Sequence, residues 1–406
     1  DTYADINGYN HSEKLNAKWK TSVVANGRVY IGNIKRQKLS TFDGGGTWST
    51  TRSDDPEYQD RICRSPVDRF DTFPEENDIE LFGANDGDSI VKLEEFADRL
   101  FIFKKQSLQI LNIANDANIL EGSYPYLGLD DGERCQSVRT DHGIAWMNSN
   151  GVYFYDGNNI QPLSEGKIDD IWKGTDEIYS TAFWLTADVP TLGYDPSSKK
   201  LIISNNVDAA SATETALLYD FKLKNWVYDL NPWTDDTIKT NFVVYRGELI
   251  WMEAGTNTPA SNVAVKKWSD APAAISSGNL NITTKDFDFG APAVRKKVYK
   301  VYISYKGDGS NVGIAWGKNG LATTGFFYKI TSETDGSATG AVDGTNPLRC
   351  IDYDAGTTDW LLAELKPSSS VNNIYSFQLK ITATGTIAAD FEINDITIIY
   401  RMKNIK

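Results

Sequence analysis

The segment Ser89 to Asn115, SIVKLEEFADRLFIFKKQSLQILNIAN, constrains the fold most, because it reads as three short β-strands joined by tight polar turns. Alternation runs through Ile90 to Glu95, resumes at Leu100 to Phe103 and returns at Leu108 to Ile113. β-Branched and aromatic residues at a period of two, broken by short polar turns, indicate an antiparallel meander rather than a helix. Three such strands bury one face poorly alone, so the segment predicts neighbours of the same kind.

Further hairpins of this kind occur along the first two thirds of the chain. An Asn-Gly pair between apolar runs, as at Asn26-Gly27, is a strong hairpin signal because a type I′ turn needs a positive φ at both positions. The recurring turns lie near Asn26, Asp98, His142, Ser198 and Arg246. Their spacing of roughly 45 to 70 residues is typical of four-stranded propeller blades with loop insertions. The sequence predicts an all-β fold with about five blades between Lys14 and Asp270.

A chain of 406 residues is too long for one compact core, so a second domain is expected. Residues 1–13 are predicted to be an N-terminal arm or a ring-closing strand, and residues 14–271 the propeller. Residues 272–281 are rich in Ala, Ser, Pro and Gly and are predicted to be a linker. Residues 282–406 contain eight strand candidates, each with one apolar face, including one in which Tyr375 and Phe377 point inward. This predicts a β-sandwich or jelly roll.

An Asp-box motif follows the first hairpin. Its pattern, Ser/Thr-x-Asp-x-Gly-x-Thr-Trp, is formed here by Thr41, Asp43, Gly45, Thr47 and Trp48. The carboxylate can accept backbone N–H bonds of its own turn and glycine permits a positive φ, so we interpret the box as a structural turn. The acidic stretch from Ser49 to Ser89 is predicted to be mostly a solvated loop. A calcium site at Asn85 to Asp88 is an alternative, although its spacing does not match the EF-hand loop.

Charge and reactive residues narrow the function classes. A net charge of -14 argues against a broad basic footprint for nucleic acid or an anionic membrane. Cys63, Cys135 and Cys350 have no zinc-site or disulfide spacing and are predicted to be buried free thiols. We predict no metal or cofactor, and no apolar run approaches the roughly 18 residues of a transmembrane helix.

Catalytic signatures are weak. Neither G-x-S-x-G nor a P-loop is present, and no arginine cluster with a Tyr/Glu pair is apparent from spacing. Several tryptophans could stack on sugars, but packing within the blades explains most of them. We therefore predict that the protein is not an enzyme.

A resemblance is carried by four stretches: VYIGNI, RICRSPVDRFDTFP, the block beginning GDSIVKLEEF, and HGIAWMNSNGVYFYDGNNIQPLSE. Over about residues 18 to 270 the chain resembles the propeller portion of virion structural proteins of tailed bacteriophages, especially tail nozzle and neck proteins. The resemblance implies a virion protein of the tail, made in the host cytoplasm, that forms or borders the DNA exit conduit. It implies a homo-oligomer in contact with other tail or portal-adaptor proteins, with DNA passing without tight binding.

Two other functions stay open at this point. One is a carbohydrate-binding or receptor-binding module, and the other is a sialidase-like glycan-processing enzyme. In the second domain, a basic cluster contrasts with the acidic propeller, and it consists of Arg295, Lys296, Lys297, Lys300 and Lys306. It is predicted to be either a solvated strand face or a docking patch for an acidic subunit.

Overall fold

The structure is a computed structural model that divides into two compact units, Asp1–Ser269 and Asp270–Lys406. It describes residues 18–39, 52–73, 77–80, 86–114, 118–130, 135–176, 183–184, 189–205, 215–230, 238–254, 264–268, 275, 280–329, 348, 360–367 and 371–403. In the described parts, both units are built almost entirely of antiparallel strands.

The first unit contains five antiparallel sheets within its described residues, and in each the strands pair in chain order. The first sheet consists of β1 (Lys18–Ala25), β2 (Arg28–Leu39), β3 (Arg52–Arg64) and β4 (Asp78–Glu80). The second consists of β5 (Ile90–Phe96), β6 (Arg99–Lys104), β7 (Ser107–Asn112) and β8 (Ile119–Pro125). The third consists of β9 (Ser137–Thr140), β10 (Gly143–Asn148), β11 (Gly151–Tyr155) and β12 (Ile160–Pro162).

The remaining sheets follow a short helix, α1 (Asp169–Lys173). The fourth sheet consists of β13 (Thr191–Asp195), β14 (Lys200–Asn205), β15 (Thr215–Asp220) and β16 (Asn225–Leu230). The fifth consists of β17 (Ile238–Tyr245), β18 (Glu248–Ala254) and β19 (Ala264–Lys267). Gly174 caps the C-terminus of α1 with a φ of 71°, in the left-handed conformation that glycine adopts without strain.

The sheets are blades stacked face to face. The first strands of successive sheets contact one another, from β1 to β5, β9, β13 and β17. A separate apolar cluster fills each of the four interfaces between successive sheets. The first includes Tyr30 and Leu100, the second Phe103 and Trp146, the third Met147 and Leu201, and the fourth Leu218 and Trp251. These contacts confirm the predicted β-propeller, because the second, third and fourth sheets each bury both faces against a neighbouring sheet.

Residues in two of the predicted tight turns have positive φ. Asn26 and Gly27 have φ of 48° and 68°, between β1 and β2. Ala97 and Asp98, between β5 and β6, have φ of 51° and 58°. The two-residue turns therefore match the right-handed twist of the strands they join.

One prediction for the first sheet is wrong. The acidic stretch from Ser49 to Ser89 was predicted to be mostly loop, but β3 runs for 13 residues within it and pairs with β2. The outer part of β3, through Glu57 and Gln59, is exposed and polar. Backbone pairing with the long β2 holds this part without an apolar face, so the period-two signal was absent.

The second unit is a β-sandwich. Its strands are β20 (Asn281–Thr283), β21 (Lys296–Lys306), β22 (Val312–Lys318), β23 (Leu321–Lys329), β24 (Leu361–Pro367), β25 (Asn372–Ile374), β26 (Phe377–Ala383) and β27 (Glu392–Met402). The order is β20-β26-β22-β23-β24-β21-β25, with β27 also paired to β21. One half of the sandwich contains β20, β26 and β22, and the other contains β24, β21, β25 and β27. Because β23 pairs with both β22 and β24, it joins these two halves.

The two halves enclose one apolar core. Ile303 of β21, Trp316 of β22 and Phe377 of β26 are all fully buried there. Tyr375 was predicted to point inward with Phe377, but it lies before β26 and is 42% exposed. Alternation along a strand orients only the residues that belong to it.

The predicted linker contains a residue of the sandwich. Ile275 forms a β-bridge with Ile387, with backbone hydrogen bonds of 2.9 and 2.8 Å, and it packs against the sandwich core. Within the described residues, no helix is long and apolar enough to cross a membrane.

Candidate functional site

The predicted Asp-box residues Thr41, Asp43, Gly45, Thr47 and Trp48 lie outside the described residues. Their assignment as a structural turn therefore stays a prediction.

The predicted basic patch is not a uniform surface. The Lys296 side chain is fully buried. Its ammonium donates hydrogen bonds to the carbonyl oxygens of Ala291 at 2.6 Å, Val294 at 2.8 Å and Tyr375 at 2.8 Å. Including Lys296 in a docking patch was wrong, because its charge is satisfied inside the sandwich.

The other four cations of the patch have partners within the sandwich. Lys300 forms an ion pair with Glu364, and the hydrogen bond that its ammonium donates to that carboxylate raises the pKa of the lysine. The remaining contacts are Lys306 with Glu392 at 2.8 Å, Lys297 over the Tyr299 ring at 4.6 Å, and Arg295 Nε with the Tyr375 hydroxyl at 3.2 Å. Exposed pairs of this kind are weak, so these side chains can still meet a partner.

The calcium alternative at Asn85 to Asp88 does not match the contacts of its described residues. The ammonium of Lys104 lies 3.0 Å from both carboxylate oxygens of Asp86. Asp88 accepts hydrogen bonds from the Gln106 backbone N–H and the Ser107 hydroxyl. No cluster of three or more potential metal ligands occurs among the described residues.

Charge is divided unequally between the two units. The propeller sequence, residues 1–269, contains 27 Lys and Arg against 41 Asp and Glu. The sandwich sequence, residues 270–406, contains 14 of each, so the net charge of -14 belongs to the propeller. The net negative charge of the propeller unit favours repulsion of polyanions, whereas the sandwich sequence has no net charge to repel them.

The fifth sheet has two unlike faces. One face, through Leu249 and Trp251, is buried against the fourth sheet. The opposite face presents exposed apolar side chains, and these are Val243 at 52%, Tyr245 at 55%, Met252 at 36% and Val265 at 66%. We call it the fifth-sheet face. Strand pairing connects these residues, because Met252 lies opposite Val265 across the β18–β19 pair and Val243 lies opposite Ile250 across the β17–β18 pair.

A cleft of about 690 Å³ lies between the second and third sheets. One wall is formed by Tyr124 of β8 and by Leu127 in the loop that follows. The opposite wall comes from the β10–β11 turn, β11, the β11–β12 turn, β12, and the segment from Ser164 to Lys173 that includes α1. Its residues are Asn150, Tyr153, Asn158, Asn159, Ile160, Pro162, Ser164, Glu165, Asp169 and Lys173.

Hydrogen bonds fix the two walls of the cleft relative to each other. The Asn148 amide donates to the carbonyl oxygens of Tyr126 at 3.1 Å and Gly128 at 2.9 Å, which flank Leu127. The Trp172 indole N–H donates to the Asn148 carbonyl at 3.1 Å and so holds α1 against the third sheet. The cleft is therefore formed before any ligand enters.

The tryptophans considered for sugar stacking lie mainly inside the protein. Trp172, Trp184, Trp251 and Trp316 are buried. Trp226 is half-buried, and its indole N–H donates to the Leu163 carbonyl at 2.9 Å. The cleft was not predicted from the sequence, because its lining residues come from two different sheets that only the fold brings together.

No protein-family model matches the chain, and no curated protein matches it. Several solved structures are similar at low identity. The extracellular domain of the B. thetaiotaomicron one-component system BT4673 has a TM-score of 0.34 and 11% identity over 64% of this chain and 28% of that chain. The Dos1 propeller has a TM-score of 0.31 and 14% identity over 62% of this chain and 54% of that chain.

A sialidase of Trypanosoma rangeli has a TM-score of 0.32 and 9% identity over 96% of this chain and 82% of that chain. The chain thus spans about half or less of the first two structures it matches. Because these TM-scores are low, the fold is assigned from the strand pairing of this chain and not from the similar structures.

Proposed function

We propose that this protein is a non-catalytic structural subunit of a bacteriophage tail, of the nozzle or tube-associated kind, that assembles with other tail subunits beside the DNA exit path. The observation that carries the proposal is the fifth-sheet face. Contiguous exposed apolar surface on a folded protein marks a site of protein association, because covering it removes apolar area from water.

The face has the composition of an interface. Val243, Met252 and Val265 supply aliphatic surface, and Tyr245 supplies an aromatic ring at the end of β17. At its border, Lys267 pairs with Glu248 at 2.5 Å, which places a polar rim beside the apolar centre. A partner subunit could cover the centre without burying an unpaired charge.

The acidic propeller suits a position beside passing DNA. Proteins hold DNA mainly through Lys and Arg contacts to phosphates, which release counterions. A unit with 41 acidic and 27 basic residues offers few unopposed cations for such contacts. The phage-like strand pattern over residues 18 to 270 supports the same role.

Replacing Val265 by Glu, in a variant that also carries Val243→Glu, tests the proposal. We expect the double variant to fold, because both side chains are more than half exposed, and to lose association with purified tail subunits in sedimentation velocity. Leu321→Glu, at a position of the sandwich that is 61% exposed, is the matched control and should still associate. Unchanged association of the double variant would contradict this use of the fifth-sheet face.

A further inference from the structure

We propose that the cleft between the second and third sheets binds a neutral oligosaccharide. This goes beyond the structural role proposed above, which does not require any small ligand. The cleft volume of about 690 Å³ is within the range of about 300 to 1,000 Å³ that is usual for ligand sites.

The turn between β11 and β12 presents two amide side chains to the cleft. Asn158 and Asn159 use their backbone N–H groups to bond the Asp156 carboxylate, at 2.9 and 2.8 Å. Their side-chain amides make no hydrogen bond to other described residues. Each amide offers donors and an acceptor, so together they match the paired hydroxyl groups of a sugar ring.

Asp156 keeps this turn in place. Its second carboxylate oxygen accepts a hydrogen bond from the Gln161 amide at 2.6 Å. The backbone bonds from Asn159 and Asn158, followed by the Gln161 bond, lower the pKa of Asp156, so the carboxylate stays ionised at neutral pH. The amides are thus presented on a turn whose geometry is already set, which lowers the entropic cost of binding.

Aromatic side chains supply the apolar part of the cleft. Tyr124 is 38% exposed on one wall, and Tyr153 is half-buried on the other, stacked on Trp146 with ring centroids 5.7 Å apart. Rigid tyrosines with an apolar ring and a polar tip suit the apolar faces and hydroxyl groups of sugars. Burial raises the pKa of Tyr153, and the negative charges of Asp169 and Glu165 raise it further. The hydroxyl therefore remains protonated and can donate a hydrogen bond.

The charges of the cleft select against anionic ligands. Glu165 and Asp169 face a single cation, Lys173, among its lining residues. One oxygen of Asp169 accepts the Gly166 N–H at 2.6 Å, and no described residue bonds the other. Carboxylates accept hydrogen bonds from hydroxyl groups, whereas they repel a sulfate, phosphate or sialic acid carboxylate.

The test uses the full chain and a set of defined probes in saturation-transfer NMR and calorimetry. The neutral probes are maltohexaose, cellohexaose, laminarihexaose, mannohexaose and chitohexaose, and a heparin hexasaccharide is the anionic probe. We expect at least one neutral probe to bind and the heparin probe not to bind.

Joint replacement of Asn158 and Asn159 by Ala should weaken that binding about tenfold or more, because two hydrogen-bonding groups are lost. Tyr124→Ala should weaken it through loss of the ring. Asn394→Ala, at an exposed position of β27, is the matched control and should bind as the unaltered chain does.

Failure of every neutral probe to bind would overturn this inference, as would tighter binding of the heparin probe. Binding that survives the Asn158 and Asn159 replacement would place the sugar elsewhere. None of these results bears on association through the fifth-sheet face, so the two proposals fail independently.

Discussion

The ammonium nitrogen of Lys104 lies 3.0 Å from each carboxylate oxygen of Asp86, and the lysine is fully buried while the aspartate side chain is 43% exposed. Asp86 thus neutralises a buried charge from the rim of the second sheet.

Asp86→Asn removes that neutralising charge. We expect the free energy of unfolding to fall by about 1 to 3 kcal/mol, measured by urea denaturation. Asp98→Asn, at an exposed turn position, is the control and should change stability by less than about 0.5 kcal/mol.

The same pair predicts a pH dependence. Burial alone would raise the pKa of Asp86, but hydrogen bonds from the Asp88 N–H and from Lys104, together with the lysine charge, lower it overall. A carboxyl whose folded pKa is lowered stabilises the protein above its unfolded pKa of about 3.9 and loses this effect as pH falls through the folded value. The stability difference between the unaltered chain and Asp86→Asn should therefore be constant near neutral pH and shrink below about pH 4. A difference that grows on acidification would contradict this assignment.

Lys296 gives a second test, in the sandwich. Lys296→Met should destabilise the second unit by about 2 to 4 kcal/mol, because three carbonyl acceptors lose their buried donor. Lys297→Met changes the neighbouring, partly exposed lysine and should cost less than about 1 kcal/mol. Hydrogen exchange along β21 measures both variants. Equal protection in the two variants would mean that the buried ammonium does not stabilise the sandwich.

Trp172 tests the packing role of the buried tryptophans. Its ring lies within 5.7 Å of Phe183 and 5.6 Å of Trp184, measured between centroids. Trp172→Ala should cost about 3 to 5 kcal/mol through the cavity it leaves, in thermal or urea unfolding. Trp172→Phe keeps an aromatic ring in this position and should cost less. Its main cost is the loss of the indole N–H bond to the Asn148 carbonyl oxygen. If Trp172→Ala kept full stability, a packing role for this residue would be wrong.

The Asp box gives a prediction that rests on sequence alone. Asp43→Ala should lower the free energy of unfolding by about 1 to 2 kcal/mol, since the turn loses a side-chain acceptor for its backbone donors. Binding activities should persist. Unchanged stability together with a lost activity would make the box a functional site.

The sequence predicts the strands and turns that depend on neighbouring residues along the chain. The Asn26-Gly27 turn and the strands from Ile90 to Asn112 follow from period-two alternation and from residues that accept positive φ. Long-range pairing was not visible in this way. The polar outer part of β3 is held by pairing with β2, and only the fold shows that Lys296 points into the sandwich.

The cleft and the fifth-sheet face were also beyond sequence reasoning. Asn158 and Asn159 read as ordinary turn residues, and only the packing of the second sheet against the third places Tyr124 opposite them. Alternation along a strand does not distinguish Val265 and Met252 from core residues. Their exposure depends on which elements pack against the fifth sheet, and the residue pattern of a single strand does not show this.

The most direct test of the structural role is mass spectrometry of phage particles purified by density gradient from cells that produce this protein, combined with electron microscopy of the same fractions. The account predicts that the chain copurifies with tailed particles in a fixed ratio to the other tail proteins, and that it labels at the tail. A chain that is absent from purified particles, and that remains a monomer when mixed with tail proteins, would contradict it.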